Sequence, residues 1–173
     1  MPADALDQRF RRLLDAHAGV LWRIAGAYAR SRPDREDLYQ EVLLHVWRAL
    51  PSFRGEARER TWLTRIAFNV ALGVVRKDAV RATVDAPLAV EAAAADGPDP
   101  AAHATRADAL GRLYDALARL PEIDRAVIVL TLDEQPHAEI AEALGLSVSN
   151  VAVRLHRAKA RLASLVADPL PTP

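Results

Sequence analysis

Phe10, Leu13, Leu14, His17, Leu21, Ile24 and Tyr28 recur at helical spacing and predict a long amphipathic helix from about Asp7 to Arg30, ended by Pro33. A second helix is expected from Asp34, whose carboxylate suits the open amides of a first turn, with Leu38, Val42, Val46 and Leu50 inward and Pro51 as its stop. After an arginine-rich loop from Ser52 to Arg60, Thr61 reads as the N-cap of a third helix that buries Leu63, Ile66, Ala67, Val70 and Val74. Three helices with short connections make one bundle.

Between about Ala79 and Asp108 the periodicity fades into Ala, Asp, Pro and Gly, the composition of a flexible linker. Periodicity returns with Leu110, Leu113, Leu117 and Leu120 on one helical face, closed by Pro121, and then a short apolar helix from roughly Asp124 to Leu132. A helix from about Pro136 to Leu144 follows, then Gly145 at a left-handed C-cap position and Ser147 as the N-cap of a last helix. Helix, glycine turn and helix form a helix-turn-helix. The last helix is expected to bury Val148, Val151, Leu155, Ala158, Leu162 and Leu165 and to present Ser149, Asn150, Val153, Arg154, His156 and Arg157. The fold class is therefore all-α, with two small helical domains at 1–78 and 108–168 joined by a linker at 79–107.

Composition narrows the chemistry. The chain has 173 residues and no cysteine, so disulfides, thiolate metal sites and thiol nucleophiles are excluded. Its five histidines are scattered without metal-ligand spacing, and no Gly-rich phosphate loop or catalytic triad pattern is present. No metal, cofactor or catalytic residue is expected. The apolar runs are far shorter than the roughly 20 residues of a membrane span, and the amino terminus is charged, so no membrane insertion and a cytoplasmic location are expected. Net charge is zero, yet Arg154, Arg157, Lys159 and Arg161 form an all-basic run where a polyanion can dock.

Short polar groups at the start of the last helix, followed by guanidinium groups, are the chemistry that duplex DNA asks for. An ordinary solvated helix would also carry such charges outward. In the first domain Arg54, Arg58, Arg60, Trp62, Arg65, Asn69 and Arg76 mix cations with an aromatic beside a loop, which suits single-stranded nucleic acid. Trp62 is equally compatible with a core position.

Further motifs carry a resemblance. Asp34 to Leu50, DREDLYQEVLLHVWRAL, is followed in order by Phe53-Arg54-Gly55-Glu56, by Thr61 to Ala67 and by Asn69. Leu120-Pro121, Glu139 to Gly145 and Val151 to Lys159 complete the set in the second domain. Together these resemble the extracytoplasmic-function sigma factors of bacterial RNA polymerase over nearly the whole chain, with the first domain as sigma region 2 and the second as region 4. The pattern departs at Glu59, Gly73, Pro136 and Ala152, and Ser149-Asn150 replaces the usual Gly-Thr, so no promoter sequence is implied.

The resemblance implies a protein that binds core RNA polymerase, through its beta-prime clamp and beta flap, and directs promoter recognition and melting while catalysis stays with the polymerase. Asp37, Leu38, Gln40, Glu41, Leu44, Trp47 and Arg48 would dock on the clamp. Arg54, Glu56, Arg58, Arg60, Thr61, Trp62, Arg65, Asn69 and Arg76 would hold the melted minus-ten element. His137, Ser147, Ser149, Asn150, Val153, Arg154, His156 and Arg157 would meet the minus-thirty-five duplex, with Arg154 as the base-specifying residue. A cognate anti-sigma factor is implied as a partner. The alternative is a free-standing helix-turn-helix regulator of duplex DNA, which would leave the Asp34 to Leu50 motif idle.

Overall fold

The computed structural model describes residues 3–82 and 100–167. Among them are seven α-helices and no strand: α1 (Ala3–Tyr28), α2 (Arg32–Ala49), α3 (Glu59–Ala82), α4 (Pro100–Ala118), α5 (Glu122–Leu132), α6 (His137–Leu144) and α7 (Val148–Ala167). Helix replaces the expected linker at both of its ends, 79–82 and 100–107. The remainder of that segment lies outside the described residues.

The first three helices form the expected bundle, with different punctuation. Ser31, not Asp34, caps α2: its Oγ accepts the Asp34 amide at 3.3 Å. Pro33 therefore opens α2 instead of closing α1, because first-turn amides have no helical partner to lose. Leu38, Val42, Val46 and Leu50 fill the core, as their spacing predicts. Arg35 ties three helices together. Its guanidinium stacks 4.2 Å from the Trp22 ring, donates twice to the Trp22 carbonyl and reaches the Tyr114 hydroxyl of α4 at 3.4 Å. Gly26 makes room, since a Cβ there would lie 2.7 Å from Arg35 Cζ.

Helix α3 begins two residues before the expected cap. Thr61 is thus inside the first turn and only 1 % exposed. Trp62, Leu63, Thr64, Ala67, Phe68, Val70 and Ala71 are also buried, more than one stripe of a helix supplies. The second domain covers the other side: α6 packs on α3, while α4 and α5 pack on α1.

Helix α5 is the clearest sign of that packing. Arg125, Ala126, Val127, Ile128, Val129 and Leu130 are buried consecutively, so no face is left for water. A helix that is apolar all round belongs inside a structure, and α5 lies among α6, α7 and α1. Two separate small cores were the expectation, but the buried residues form one continuous core. Pooling the apolar surface of two modest domains protects more of it than either domain could alone.

The helix-turn-helix follows the sequence closely. Gly145 is left-handed at φ 66°, and the amides of Gly145 and Leu146 both return to the Ala141 carbonyl. Ser147 Oγ accepts the Asn150 amide at 3.2 Å and opens α7. Val151, Leu155 and Ala158 are buried, whereas Val148 is 49 % exposed because it precedes the stripe that reaches the core. In α4, Leu117 is buried and Leu110 is exposed; Leu120 is buried beyond the helix end, and Pro121 stands at the start of α5.

Candidate functional site

Three surfaces gather the predicted site residues. On α2 the inward stripe leaves Asp37, Gln40, Leu44, Trp47 and Arg48 exposed, with Glu41 half-buried. Leu38 is a correction: at 3 % exposure it belongs to the core and not to the outer face of α2. Leu44 and Trp47 are 45 % and 37 % exposed on an otherwise charged helix. Trp47 meets Phe10 edge to face at 5.2 Å, which fixes the indole while leaving much of it in solvent. At the start of α2, Arg30, Asp34, Asp37 and Glu41 line a groove of ≈ 190 Å³ whose floor includes Leu38 and Val74.

The second surface is the loop before α3. Gly55 takes φ 78° and turns the chain, leaving Arg54 and Glu56 exposed. Arg65, Asn69 and Arg76 continue an exposed polar strip along α3. Thr61 and Trp62 do not join them. Trp62 is 9 % exposed and stacks on Phe53 at 4.5 Å, while Arg9 lies over the far ring of that stack. Stacked on one face and this deeply buried, the indole leaves little surface for a base. Arg58 and Arg60 point across to the second domain, where Arg58 pairs with Glu139, and Arg60 with the carboxylate and carbonyl of Asp133.

The third surface is the outer face of α7. Asn150, Val153 and Arg157, at helical spacing, stand exposed with Ser149 and His156 beside them. Ser147 is spent on its cap, and His137 is half-buried at the start of α6. Arg154 departs from expectation. It lies at the edge of the buried stripe, and its guanidinium reaches inward to Asp124 Oδ1 of α5 at 2.6 Å. Arg157, Lys159 and Arg161 make no ion pair among the described residues, so the basic run beyond Arg154 remains open to a polyanion.

Sequence reasoning missed the polar groups that join the domains. Tyr28 donates its hydroxyl to the Glu122 carbonyl at 2.6 Å, and Gln135 donates to Thr64 Oγ1 at 3.3 Å. Asp133 also pairs with Arg23 of α1. Arg125 is buried, donates to the carbonyls of Ala27, Ala118 and Leu120, and lies 4.9 Å over the Tyr28 ring. Burial pushes the Tyr28 hydroxyl pKa up and the Arg125 pKa down, the sense in which a dry environment disfavours each charged form. These partners are far apart in sequence, and no local pattern announces them.

Comparison with known proteins gives this arrangement its class. The family model for Sigma-70 region 2 matches residues 13–81, and that for Sigma-70 region 4 matches residues 110–162. The ECF RNA polymerase sigma factor SigM of Mycobacterium tuberculosis is 37 % identical over 164 residues, covering 94 % of this chain and 77 % of that protein. The RNA polymerase sigma factor CnrH of Cupriavidus metallidurans is 31 % identical over 172 residues, covering 95 % and 90 %. Among solved structures, CnrH in complex with the cytosolic domain of CnrY superposes with TM-score 0.70 at 30 % identity and covers 96 % of each chain. The sigma factor RpoE in complex with the anti-sigma factor NepR from Bartonella quintana shares the fold, with TM-score 0.73 at 22 % identity, covering 96 % and 100 %.

Regions 2 and 4 on one chain define a sigma-70-type factor, a class of non-enzymatic transcription initiation factors. The chain belongs to the ECF RNA polymerase sigma factors. It binds core RNA polymerase and directs promoter recognition, promoter melting and transcription initiation. Nothing favours the free-standing regulator. No described helix is long and apolar enough to cross a membrane.

Proposed function

We propose that the three surfaces divide the work of this sigma factor, which acts in the cytoplasm and has no catalytic activity of its own. The outer face of α2, with Asp37, Gln40, Glu41, Leu44, Trp47 and Arg48, docks on the beta-prime clamp. The observation that carries this is the pair of large apolar side chains, Leu44 and Trp47, held in solvent amid charges. An ordered, half-exposed Trp ringed by polar groups is the usual anatomy of a binding hot spot.

The loop from Arg54 to Arg60, with Arg65, Asn69 and Arg76, receives the melted minus-ten strand, and a flipped base enters beside Arg54 and Glu56. Unstacking that base costs a few kcal/mol, which contacts inside a pocket offset. Thr61 and Trp62 are left out because they are core, so their effect is to hold the loop in place. Asn150, Val153, His156 and Arg157, with Ser149, meet the minus-thirty-five duplex, and region 4 also contacts the beta flap. His137 and Ser147 flank that surface. Arg154 becomes a positioning residue, since its pair with Asp124 pins α7 against α5. The base-reading role passes to Arg157.

A cognate anti-sigma factor covers these faces when transcription is off. The complexes of RpoE with NepR and of CnrH with CnrY support this reading. Competition for core polymerase tests the docking face. Trp47→Ala should weaken binding by about thirtyfold, the size of a hot-spot loss of roughly 2 kcal/mol. Equal competition by variant and parent would remove α2 from the interface.

A further inference from the structure

The outermost point of α7 is apolar. Val151, Leu155 and Ala158 are buried, and at 3.6 residues per turn Val153 stands about 170° round the helix from the middle of that stripe. It is 49 % exposed, with Ser149 and His156 to one side and Asn150 and Arg157 to the other, all in solvent. Val148 is exposed to the same extent, yet it borders the buried stripe. A lone exposed valine elsewhere on a surface asks for no explanation. Here it occupies the centre of a face whose neighbouring members are polar. Burial of the stripe and the 2.6 Å pair between Arg154 and Asp124 fix α7 about its own axis, so Val153 is held outward.

We infer that Val153 is a specificity-determining residue that selects a thymine in the minus-thirty-five duplex by packing on its C5-methyl group. This rests on seating the outer face of α7 in the major groove of that duplex, where the outermost side chains of a recognition helix meet the base edges. Valine brings two methyl groups and neither a donor nor an acceptor. Guanine, adenine and cytosine offer it only polar atoms in the major groove, and an apolar side chain pressed on those atoms removes water without replacing its hydrogen bonds. Thymine alone carries a methyl group there. Burying methyl on methyl takes apolar surface out of water on both partners, so thymine is the base that gains most at this position.

The place of that thymine follows from the helix. Arg157 lies about one turn beyond Val153, roughly 6 Å at 1.5 Å per residue, so the thymine falls within about two base pairs of the one that Arg157 reads. The two residues then specify by different chemistry, one by a methyl contact and the other by hydrogen bonds.

A promoter that the full-length chain uses with core polymerase, randomised through its upstream element, supplies the test. The parent should enrich thymine at one position, within about two base pairs of the position whose preference relaxes in Arg157→Ala. Deoxyuridine in place of that thymine removes only the methyl group and should weaken holoenzyme binding about fourfold, the weight of one buried methyl. 5-Methylcytosine in place of cytosine should regain a similar factor. Val153→Ala should bind thymine and deoxyuridine alike, whereas Val153→Thr, which keeps one methyl, should retain part of the difference. Alanine is the best helix former and the site is exposed, so the fold is kept, with circular dichroism as the check. Equal binding of thymine and deoxyuridine by the parent overturns the inference, since any thymine preference is then one of DNA shape. An undiminished deoxyuridine penalty in Val153→Ala overturns it too, because another residue then holds the methyl. If the parent shows no preference anywhere in the upstream element and Arg157→Ala changes nothing, α7 does not read the duplex and the underlying assignment fails with it.

Discussion

Replacing Arg125 with methionine should destabilise the whole molecule, because this one guanidinium serves both domains. It donates to the Ala118 and Leu120 carbonyls at 2.6 and 3.2 Å, completing the turn from α4 to α5, and to the Ala27 carbonyl at 3.2 Å near the end of α1. Methionine keeps the stem and much of the volume but leaves three carbonyls without their donor, at about 1 to 3 kcal/mol for each one that stays buried. Loss of the stacking on Tyr28 adds about 0.5 to 2 kcal/mol. Against this, removing the charge returns the several kcal/mol of its desolvation, the same effect that lowers the Arg125 pKa. The balance is a net loss of about 2 to 3 kcal/mol. Arg125→Lys should lose less, since an ammonium keeps the charge but cannot fork to all three carbonyls. Urea unfolding followed by tryptophan fluorescence and by circular dichroism reads the change as a lower midpoint with unchanged slope. Both probes should report one transition, because the core is continuous. Stability within about 0.5 kcal/mol of the parent would show that burial of the charge costs as much as its contacts gain.

Gly145→Ala should cost about 1 to 2 kcal/mol in the same assay: nothing lies within 4 Å of the new Cβ, so the loss is that of a side chain held at φ 66°. A neutral effect would mean that the turn relaxes. Burial holds the His17 pKa below its ordinary 6.5, with Glu59 pulling it back up and Arg60 adding to the fall. The folded chain therefore prefers neutral imidazole, the unfolded chain binds more protons below pH 6.5, and this stability is present above that value and lost as pH falls through the lowered one. His17→Gln should flatten that part of a stability profile between pH 7 and 5, and an unchanged slope would remove His17 as its source.

Much of the fold was legible because its signals are local. Leu38, Val42 and Val46 mark a helix stripe by spacing alone, and Gly145 before Ser147 specifies a turn by the conformations those residues favour. Punctuation was less secure: Ser31 and Asp34 are both good caps, and only the position of Pro33 in the first turn favours the former. What stayed hidden is non-local. Six consecutive buried residues in α5 need a neighbour on every side, and that neighbour, α1, is nearly a hundred residues away. The run from Ala126 to Leu130 carries the hint, since an apolar helix with no polar face has no place on a surface. Trp62 and Arg154 were misplaced for a related reason, as composition says which side chains suit DNA but not whether Phe53 or Asp124 has already engaged them.

The docking and reading surfaces meet in a single measurement, run-off transcription with purified core polymerase on a library of promoter fragments, with and without this chain. The protein should add a restricted set of start sites that core alone does not use. Arg157→Ala should relax preference at one base pair of the upstream element, by about 1 to 3 kcal/mol of discrimination, while Arg154→Ala weakens all promoters alike. Transcripts identical to those of core alone would contradict the account, and a base-specific loss from Arg154→Ala with none from Arg157→Ala would reverse the roles assigned to α7.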